Sequence, residues 1–542
     1  MSPGGLRSRD AHGIALVEVP AARERPMAGE RHAEGTARAG PPAHAWHRRR
    51  RAPARSRPRI RTRSMGKELF MSMDRAPVIP DRPPCPAGLG RRGPWPPAAR
   101  AAGSDVSRRA FLHRAAASAL AVGAVGGPAH GGEAGPQAMA PVGRAGQPPR
   151  FFQDPDFEYT FLIALGRAYY AASNPGTLLA LAGQIADGNA ESAYQAFTRA
   201  GAEARALAEG SARRGHRVSA RQAYLWAAGY YHSATYFVDA TADPSRFRPT
   251  WEAHLACWEQ AIARFDPPVE VVSIPYERTT LRGYLFRADT SPRPRPLLLL
   301  NNGSDGPALD MWTLGGAGGV ARGYHCLTFD GPGQGYALWQ QGLSFRPDWE
   351  QVVTPVVDYA LTRPEVDPQR LAILGISQGG YWVPRAVAFE PRIAAAIADP
   401  GVVDVSTSWT GHLPPPVLAL LRAGRKAEFD QAMNQGTPAQ LALLRFRMRP
   451  YGLSSPYDAF KAVEAYRLQG VADKIRCPLL ITDPEGEQFW PGQSQALYDL
   501  LPGPKTLIPF TAAEGADLHC EPKALGLRDL RLFDWLDEQL RV

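Results

Sequence analysis

Cysteine is scarce in this sequence, and the spacing of the few cysteines excludes two kinds of site. The chain of 542 residues has five of them, widely spaced: Cys85, Cys257, Cys326, Cys477 and Cys520. No two form the C-x-x-C spacing of a zinc ligand pair or of a dithiol redox motif. We therefore predict that the last four are free or buried thiols and that the protein has no metal site. The function proposed from the motifs below also needs no cofactor.

A surplus of positive charge is also missing from most of the chain, although the formal net charge is +10. Residues 1–150 hold 26 lysines and arginines against 10 acidic residues, a net charge of +16, which leaves −6 for residues 151–542. Binding to nucleic acid needs a basic surface on the folded part of a protein. We therefore expect no nucleic-acid partner.

The sequence lacks an apolar run long enough for a stable membrane span. The mildly apolar stretch at 115–128 is too short, but it follows the residues SRRAFLH at 107–113, which resemble a twin-arginine export motif. We predict an export signal at 105–140, cut near the small residues at 138–140. The twin-arginine export machinery would then be a partner, and the location would be periplasmic or extracellular.

Residues 1–104 form a basic leader rich in Arg, Pro, Ala and Gly, with little apolar periodicity. Such a composition predicts disorder. Because export signals lie at the N-terminus, translation is expected to start at Met65, Met71 or Met73 rather than at Met1. The alternative is a disordered basic tail with a chance arginine pair, and the protein would then be cytoplasmic.

The segment 151–266 has aromatic and aliphatic residues at helical spacing and scarcely any strand pattern. We predict four or five helices forming an accessory, cap-like domain. The stretch Tyr224–Phe237 is richest in aromatic rings, which either line a substrate pocket or pack the helices together. His232 within it is interpreted as a core or surface histidine.

After Asp266-Pro267-Pro268 the pattern changes to eight strands that alternate, after the first two, with helical segments. This predicts an α/β domain at 267–542 with a mostly parallel sheet and helices on both faces. The strands are predicted at 269–276, 281–287, 296–301, 324–329, 371–374, 393–398, 478–482 and 505–510. An insertion at about 402–474 interrupts the alternation and is expected to form part of a lid over the carboxyl ends of the strands.

The fifth predicted strand runs into Gly375-Ile376-Ser377-Gln378-Gly379, a G-x-S-x-G pentapeptide. In a nucleophile elbow the serine lies on a strained strand-to-helix turn, and glycines two residues to either side avoid collisions. We predict that Ser377 is a nucleophile and that Gly375 and Gly379 permit its turn. Pro384 should leave the following helix kinked or irregular.

A serine nucleophile needs a base and an acid, which follow it in that fold in the order serine, acid, histidine. Two histidines follow Ser377, and His519 is the predicted base because His412 lies in the insertion, before the last two strands. Glu487 is the predicted acid from the spacing of the loop after the seventh strand. Asp483 is the alternative acid, and Asp399 is a third candidate.

The oxyanion of an acyl-transfer intermediate needs two backbone donors. We predict the amides of Gln378, directly after the nucleophile, and of Ser304, in the loop after the third strand. Asp305 either points into the substrate pocket or forms a turn before Gly306. The glycine-rich loop at 330–335 lacks the G-K-[ST] of a phosphate loop and is expected to shape the pocket floor.

Several longer segments carry a family resemblance: NNGSDG, RGYHCLTFDGPGQG, RPDWEQVVTPVVDY, LGISQGGYWVPRA and FTAAEGADLHCE. From about Phe151 onward, the chain resembles α/β-hydrolases with an N-terminal helical domain, such as 2,6-dihydroxypseudooxynicotine hydrolase and the fungal polyketide-shortening hydrolases of pigment pathways. The resemblance implies an α/β-hydrolase fold and a Ser-acid-His site between the helical domain and the sheet. Some members cleave carbon–carbon bonds next to a ketone.

Together these features predict a serine hydrolase that acts on an ester or a ketone-adjacent carbon–carbon bond of a small molecule. A peptidase of the acylaminoacyl or dipeptidyl kind is an alternative, although no propeller repeat precedes the α/β domain. A non-catalytic binding protein with this fold is another. The sequence leaves open whether the protein forms a homodimer.

Overall fold

The computed structural model describes residues 150–542. The predicted leader and export signal lie outside these residues, and both stay predictions. Within the described range, no helix combines the length and the apolar character needed to cross a membrane.

The first part of the described chain is helical. Side chains that precede three of its helices, Asp154, Asn174 and Asn189, accept hydrogen bonds from backbone amides in the first turns. The second and third helices are separated by a break near Gly188, whose φ is +71°. The five α-helices of this part of the described chain are α1 (Pro155–Gly166), α2 (Pro175–Ala182), α3 (Ala190–Arg213), α4 (Arg217–Val238) and α5 (Phe247–Ile262).

The strands that follow form one sheet of eight within residues 150–542, in the spatial order β1-β2-β4-β3-β5-β6-β7-β8. Pairing is antiparallel between β1 and β2 and between β2 and β4, and parallel elsewhere, so β2 alone runs against the others. The predicted mostly parallel α/β fold with an N-terminal helical part is confirmed. The strands are β1 (Glu270–Tyr276), β2 (Thr279–Phe286), β3 (Arg295–Asn301), β4 (His325–Phe329), β5 (Val366–Ile376), β6 (Ala395–Asp399), β7 (Leu479–Pro484) and β8 (Lys505–Phe510).

Helices connect these strands and cover the sheet. Those that frame the site are α6 (Ala308–Met311), α7 (Ala317–Ala321), α8 (Gly335–Trp339), α9 (Glu350–Leu361), α10 (Gly379–Val387), α16 (Gln493–Leu500) and α17 (Leu525–Leu540). The insertion between β6 and β7 contributes α11 (Thr407–Thr410), α12 (Pro415–Arg422), α13 (Lys426–Met433), α14 (Pro438–Met448) and α15 (Pro456–Val463).

Apolar residues bury both faces of the sheet, as β3 illustrates. Leu297 and Leu299 face one core, packed with α9 and α10, whereas Leu298 and Leu300 face the core that they share with the helical part. Successive side chains of a strand point to opposite faces, so a continuous run of leucines serves both cores. The helical part therefore shares a core with one face of the sheet rather than forming a separate body.

A buried ion pair also joins the two parts. Arg167, just after α1, donates through Nε to Asp310 Oδ1 at 2.7 Å and through Nη2 to Asp310 Oδ2 at 3.2 Å. A third bond runs from its Nη1 to Ser233 Oγ of α4 at 3.0 Å. The arginine side chain is 2% exposed and the aspartate side chain 8%. Such a bidentate pair fixes α1 and α4 against α6.

Replacing Arg167 by Met should destabilise the protein by about 3–5 kcal/mol, because Asp310 would be left buried without its partner. The double variant Arg167→Met/Asp310→Leu should recover much of that loss. The measurement is the free energy of unfolding in urea. Arg205→Met is the control, because its pair with Glu209 is exposed and should contribute less than about 1 kcal/mol. Equal losses for the two single variants would contradict the interpretation.

Candidate active site

Ser377 lies on a sharp turn between β5, which ends at Ile376, and α10, which begins at Gly379. Its φ is +59°, the left-handed region that a residue with a side chain seldom adopts. A Cβ at Gly375 would lie 2.3 Å from the Gly379 carbonyl oxygen, and one at Gly380 would lie 1.8 Å from that of Pro400. Glycine is therefore required on both sides of the serine, and Gly380 is more tightly confined than the predicted Gly379.

Pro384 lies inside α10, which runs through it to Val387. Proline cannot donate to the Gly380 carbonyl four residues earlier, and that carbonyl instead accepts a hydrogen bond from Val402 at 3.3 Å. The loop after β6 thus replaces the bond that the helix lacks.

The structure brings the three predicted side chains Ser377, His519 and Glu487 together in one hydrogen-bonded chain. His519 Nε2 lies 2.9 Å from Ser377 Oγ, and His519 Nδ1 lies 2.7 Å from Glu487 Oε2. The histidine and glutamate side chains are 3% and 5% exposed. A hydrogen bond between a nucleophile and a base, with the base oriented by a carboxylate, is the geometry of acyl-transfer enzymes.

The partners of His519 are themselves held in place. The second oxygen of Glu487, Oε1, accepts from the amides of Phe489 at 2.8 Å and Trp490 at 3.0 Å. The amide of His519 donates to Gln488 Oε1 at 2.9 Å, and its carbonyl accepts from the hydroxyl of Tyr159 in α1 at 2.9 Å. The imidazole is thus fixed from the acid loop and from the helical part at once.

The other two candidate acids from the sequence form no hydrogen bond with the imidazole of His519. Asp483 lies within β7, paired with Pro509 of β8, and burial together with the nearby Glu487 raises the pKa of its carboxyl. Asp399 is fully buried and bonds Thr482 Oγ1 and Arg528 Nε. Its carbonyl, however, accepts from the amide of Ser377 at 2.7 Å, so it supports the turn. His412 does not line the cavity described below.

The two predicted oxyanion donors flank the serine. A Cβ at Gly303 would lie 2.7 Å from that of Ser377, so the loop after β3 touches the nucleophile. The Gly303 amide is occupied by Asn302 Oδ1 at 2.7 Å. Among the described residues, the amides of Ser304 and Gln378 donate to no other group. They are therefore available to an oxygen of a ligand.

The glycine-rich loop at 330–335 has a different role from the one expected, since none of its residues lines the cavity. Buried Gln334 donates through Nε2 to the carbonyls of Asn302 at 2.9 Å and Gly303 at 2.8 Å. Its Oε1 accepts from the Gly331 amide at 2.9 Å. The loop thus holds the predicted oxyanion segment at 302–304 in place by hydrogen bonds. This contact joins segments that are distant in sequence, so no local pattern indicates it.

Above Ser377 lies a cavity of about 370 Å³, walled by the helical part, the loop after β3, the insertion and the His519 loop. Ten aromatic residues contribute to its lining: Phe157, Tyr159, Tyr236, Phe237, Phe345, Trp409, Phe446, Tyr451, Phe489 and Trp490. Two rings of the stretch Tyr224–Phe237 therefore line the cavity, whereas Tyr224 and Tyr230 pack in the core. His232 is buried beside His254 and does not line the cavity.

Asp305 lines the cavity, as one of its two sequence interpretations proposed. Its side chain is exposed to the cavity, and within the described residues its one side-chain hydrogen bond is accepted from Ser304 Oγ at 3.4 Å. Burial, and next the nearby Asp310, raise the pKa of Asp305 to about 6. A carboxyl group with a raised pKa therefore lies beside the predicted oxyanion donor Ser304.

No group of three or more metal-ligating side chains occurs in residues 150–542.

A serine on a left-handed turn after the fifth strand of this sheet defines the α/β-hydrolase class. Comparisons with known proteins support the same class. The model of the prolyl oligopeptidase family matches residues 320–432. Hydrolase LUC6 of Fusarium sp is 30% identical over 422 residues, covering 72% of this chain and 98% of LUC6. The 20-hydroxy-prefusarin hydrolase FUS2 of Gibberella moniliformis is 30% identical over 72% of this chain and 98% of its own.

The chain belongs to the α/β-hydrolase family that includes these fungal hydrolases, and it is a hydrolase. The crystal structure of 2,6-dihydroxy-pseudo-oxynicotine hydrolase is similar in fold, with a TM-score of 0.55 at 20% identity. The similarity covers 69% of this chain and 95% of that one. The resemblance predicted from the sequence is confirmed.

Replacing Glu487 by Gln should lower kcat roughly a thousandfold or more, because the amide cannot stabilise an imidazolium at His519. Asp483→Asn is the matched control and should keep kcat within about threefold, since Asp483 does not bond the imidazole. Steady-state hydrolysis of an activated ester measures both. If Asp483→Asn loses activity while Glu487→Gln keeps it, the acid lies four residues upstream.

Asp305→Asn should stabilise the protein above about pH 6 and leave its stability unchanged below about pH 4. The raised pKa of Asp305, about 6 against 3.8, means that the folded state holds this proton more tightly than the unfolded chain does. Its contribution to stability is therefore complete below pH 3.8 and is lost as pH rises through about 6. Unfolding in urea across this range is the measurement. Asp499→Asn, an exposed change on α16, should show no such pH-dependent gain.

Proposed function

We propose that this protein is a serine hydrolase that cleaves an ester, or a carbon–carbon bond next to a ketone, in a small molecule. The observation that carries the proposal is the continuous hydrogen-bonded chain from Ser377 Oγ through His519 to Glu487. Ser377 and His519 line a cavity of about 370 Å³ that also carries ten aromatic residues, a size suited to a small ligand. The relative FUS2 is likewise named for the hydrolysis of a single compound.

In the proposed mechanism, Ser377 Oγ attacks the substrate carbonyl carbon as its proton passes to His519 Nε2. The resulting oxyanion accepts hydrogen bonds from the amides of Gln378 and Ser304. Collapse of the intermediate breaks the bond to the leaving group, which takes the proton from His519. Water then attacks the acyl carbonyl carbon as its proton passes to His519, and the C–O bond to Ser377 breaks as His519 returns the proton to Oγ, which releases the acid and restores the serine.

For a carbon–carbon substrate the same steps expel a carbanion. A second carbonyl group next to that carbon delocalises the charge as an enolate, and the imidazolium of His519 supplies the proton that completes the ketone product. An alternative consistent with the same residues is that Ser377 orients a water molecule that attacks the carbonyl directly.

A peptidase is the second candidate, because the prolyl oligopeptidase family model matches residues 320–432. Enclosure of the cavity by the helical part and the insertion favours small substrates over polypeptides. Peptide p-nitroanilides alongside p-nitrophenyl esters and β-diketones separate these activities in one hydrolysis screen. Turnover of the esters or diketones alone supports the proposal, and turnover of the anilides alone contradicts it.

Labelling with a fluorophosphonate tests the nucleophile directly. We expect wild-type protein to be labelled and Ser377→Ala to be unlabelled, with hydrolysis reduced at least about ten-thousandfold. Ser408→Ala is the matched control, because Ser408 lines the same cavity but donates to the Val405 carbonyl, and it should label normally. An unlabelled wild type, or equal labelling of Ser377→Ala, would contradict the assignment and favour a binding protein.

A further inference from the structure

Arg447 is a cation on the cavity wall that the fold does not pair with an anion. It lies in the last turn of α14, and its one hydrogen bond runs from Nη1 to the Ser408 carbonyl at 3.2 Å. Within residues 150–542 no carboxylate lies within salt-bridge distance of its guanidinium. Most of its N–H donors are therefore not used by the protein.

Two other arginines of this region are paired. Arg167 holds Asp310, and Arg449, two residues after Arg447, holds Asp239 at 2.6 Å. Asp310 and Asp239 also line the cavity. Arg167 and Arg447 are the two arginines that line the cavity within the described residues, and Arg447 is the one that holds no carboxylate.

The surroundings of Arg447 make an unpaired charge unfavourable. Burial lowers the pKa of its guanidinium, which Asp156 and then Asp305 counteract through space. Burial in turn raises the pKa of both carboxyls, to about 6 for Asp305. Neither carboxyl is within salt-bridge distance of the half-buried guanidinium, so the cation lacks a close partner, which a ligand can supply.

We propose that Arg447 binds a carboxylate of the substrate, so that the preferred substrate is an acid rather than a neutral ester or ketone. The planar guanidinium offers parallel N–H donors that match the two oxygens of a carboxylate. This inference rests on the proposed function, and it names the chemical class that the cavity selects. Arg447 acts in recognition and not in the chemical step.

Binding to the inactive full-length variant Ser377→Ala tests this inference separately from hydrolysis. The probes are mono-p-nitrophenyl terephthalate and mono-p-nitrophenyl suberate, each compared by calorimetry with its methyl-capped neutral counterpart. We expect at least one carboxylate probe to bind about 10- to 100-fold more tightly than its neutral counterpart, the range of a charge-assisted bidentate contact. Adding Arg447→Met should abolish that preference and change the affinity for the neutral probe less than about threefold. Arg447→Lys should restore part of the preference, because lysine keeps the positive charge but lacks the parallel N–H donors of a guanidinium.

Arg445→Met is the control, because Arg445 lies on the same helix but is exposed and donates to the Asp239 carbonyl. It should keep the preference for the carboxylate probe. Equal binding of charged and neutral probes to Ser377→Ala, or failure of both to bind, would overturn the inference. So would an equal loss of affinity for both probes in Arg447→Met, since that indicates a structural role. A wild type that binds the carboxylate probes selectively but cleaves neither contradicts the proposed hydrolysis while supporting the role of Arg447.

Discussion

The hydrogen bond from the Ser377 amide to the Asp399 carbonyl is the contact on which the site depends. A serine with positive φ is strained, and such a conformation persists only where the surrounding structure determines it. Asp399 can hold the serine in this conformation because its own side chain accepts hydrogen bonds from Thr482 of β7 and Arg528 of α17. The backbone of one fully buried residue thus transmits the rigidity of the sheet to the nucleophile.

The same buried cluster reaches the base. Arg528 also contacts Asp529 and lies 3.6 Å from Glu521, two residues after His519. Burial and the neighbouring Asp399 raise the pKa of the Glu521 carboxyl well above its usual range. Cys520 and Glu521 both have positive φ, which marks a second strained turn directly behind His519. Nucleophile and base are therefore positioned from one polar core beneath the cavity.

Much of this could be predicted from local sequence pattern, because strands and turns have short-range signatures. All eight strands were placed, as was the turn at Ser377, since apolar runs and glycine spacing report burial and steric limits. His519 followed from its place after the last strand. What escaped prediction were contacts between distant segments, such as Gln334 behind Gly303 and Tyr159 on the His519 carbonyl. The local sequence around a glutamine or tyrosine looks the same whether the side chain only fills the core or holds a site residue in place. Only the folded chain reveals which of the two it does.

The hydroxyl of Tyr159 has a consequence for how this protein can change over generations. Because the helical part holds the carbonyl of the proposed base and also walls the cavity, exchanging it by recombination between genes would alter both. A lineage that lost it would lose the alignment of the imidazole together with the pocket. The two parts are therefore expected to be inherited as one unit, with new substrates arising by changes in the pocket wall rather than by the swapping of modules.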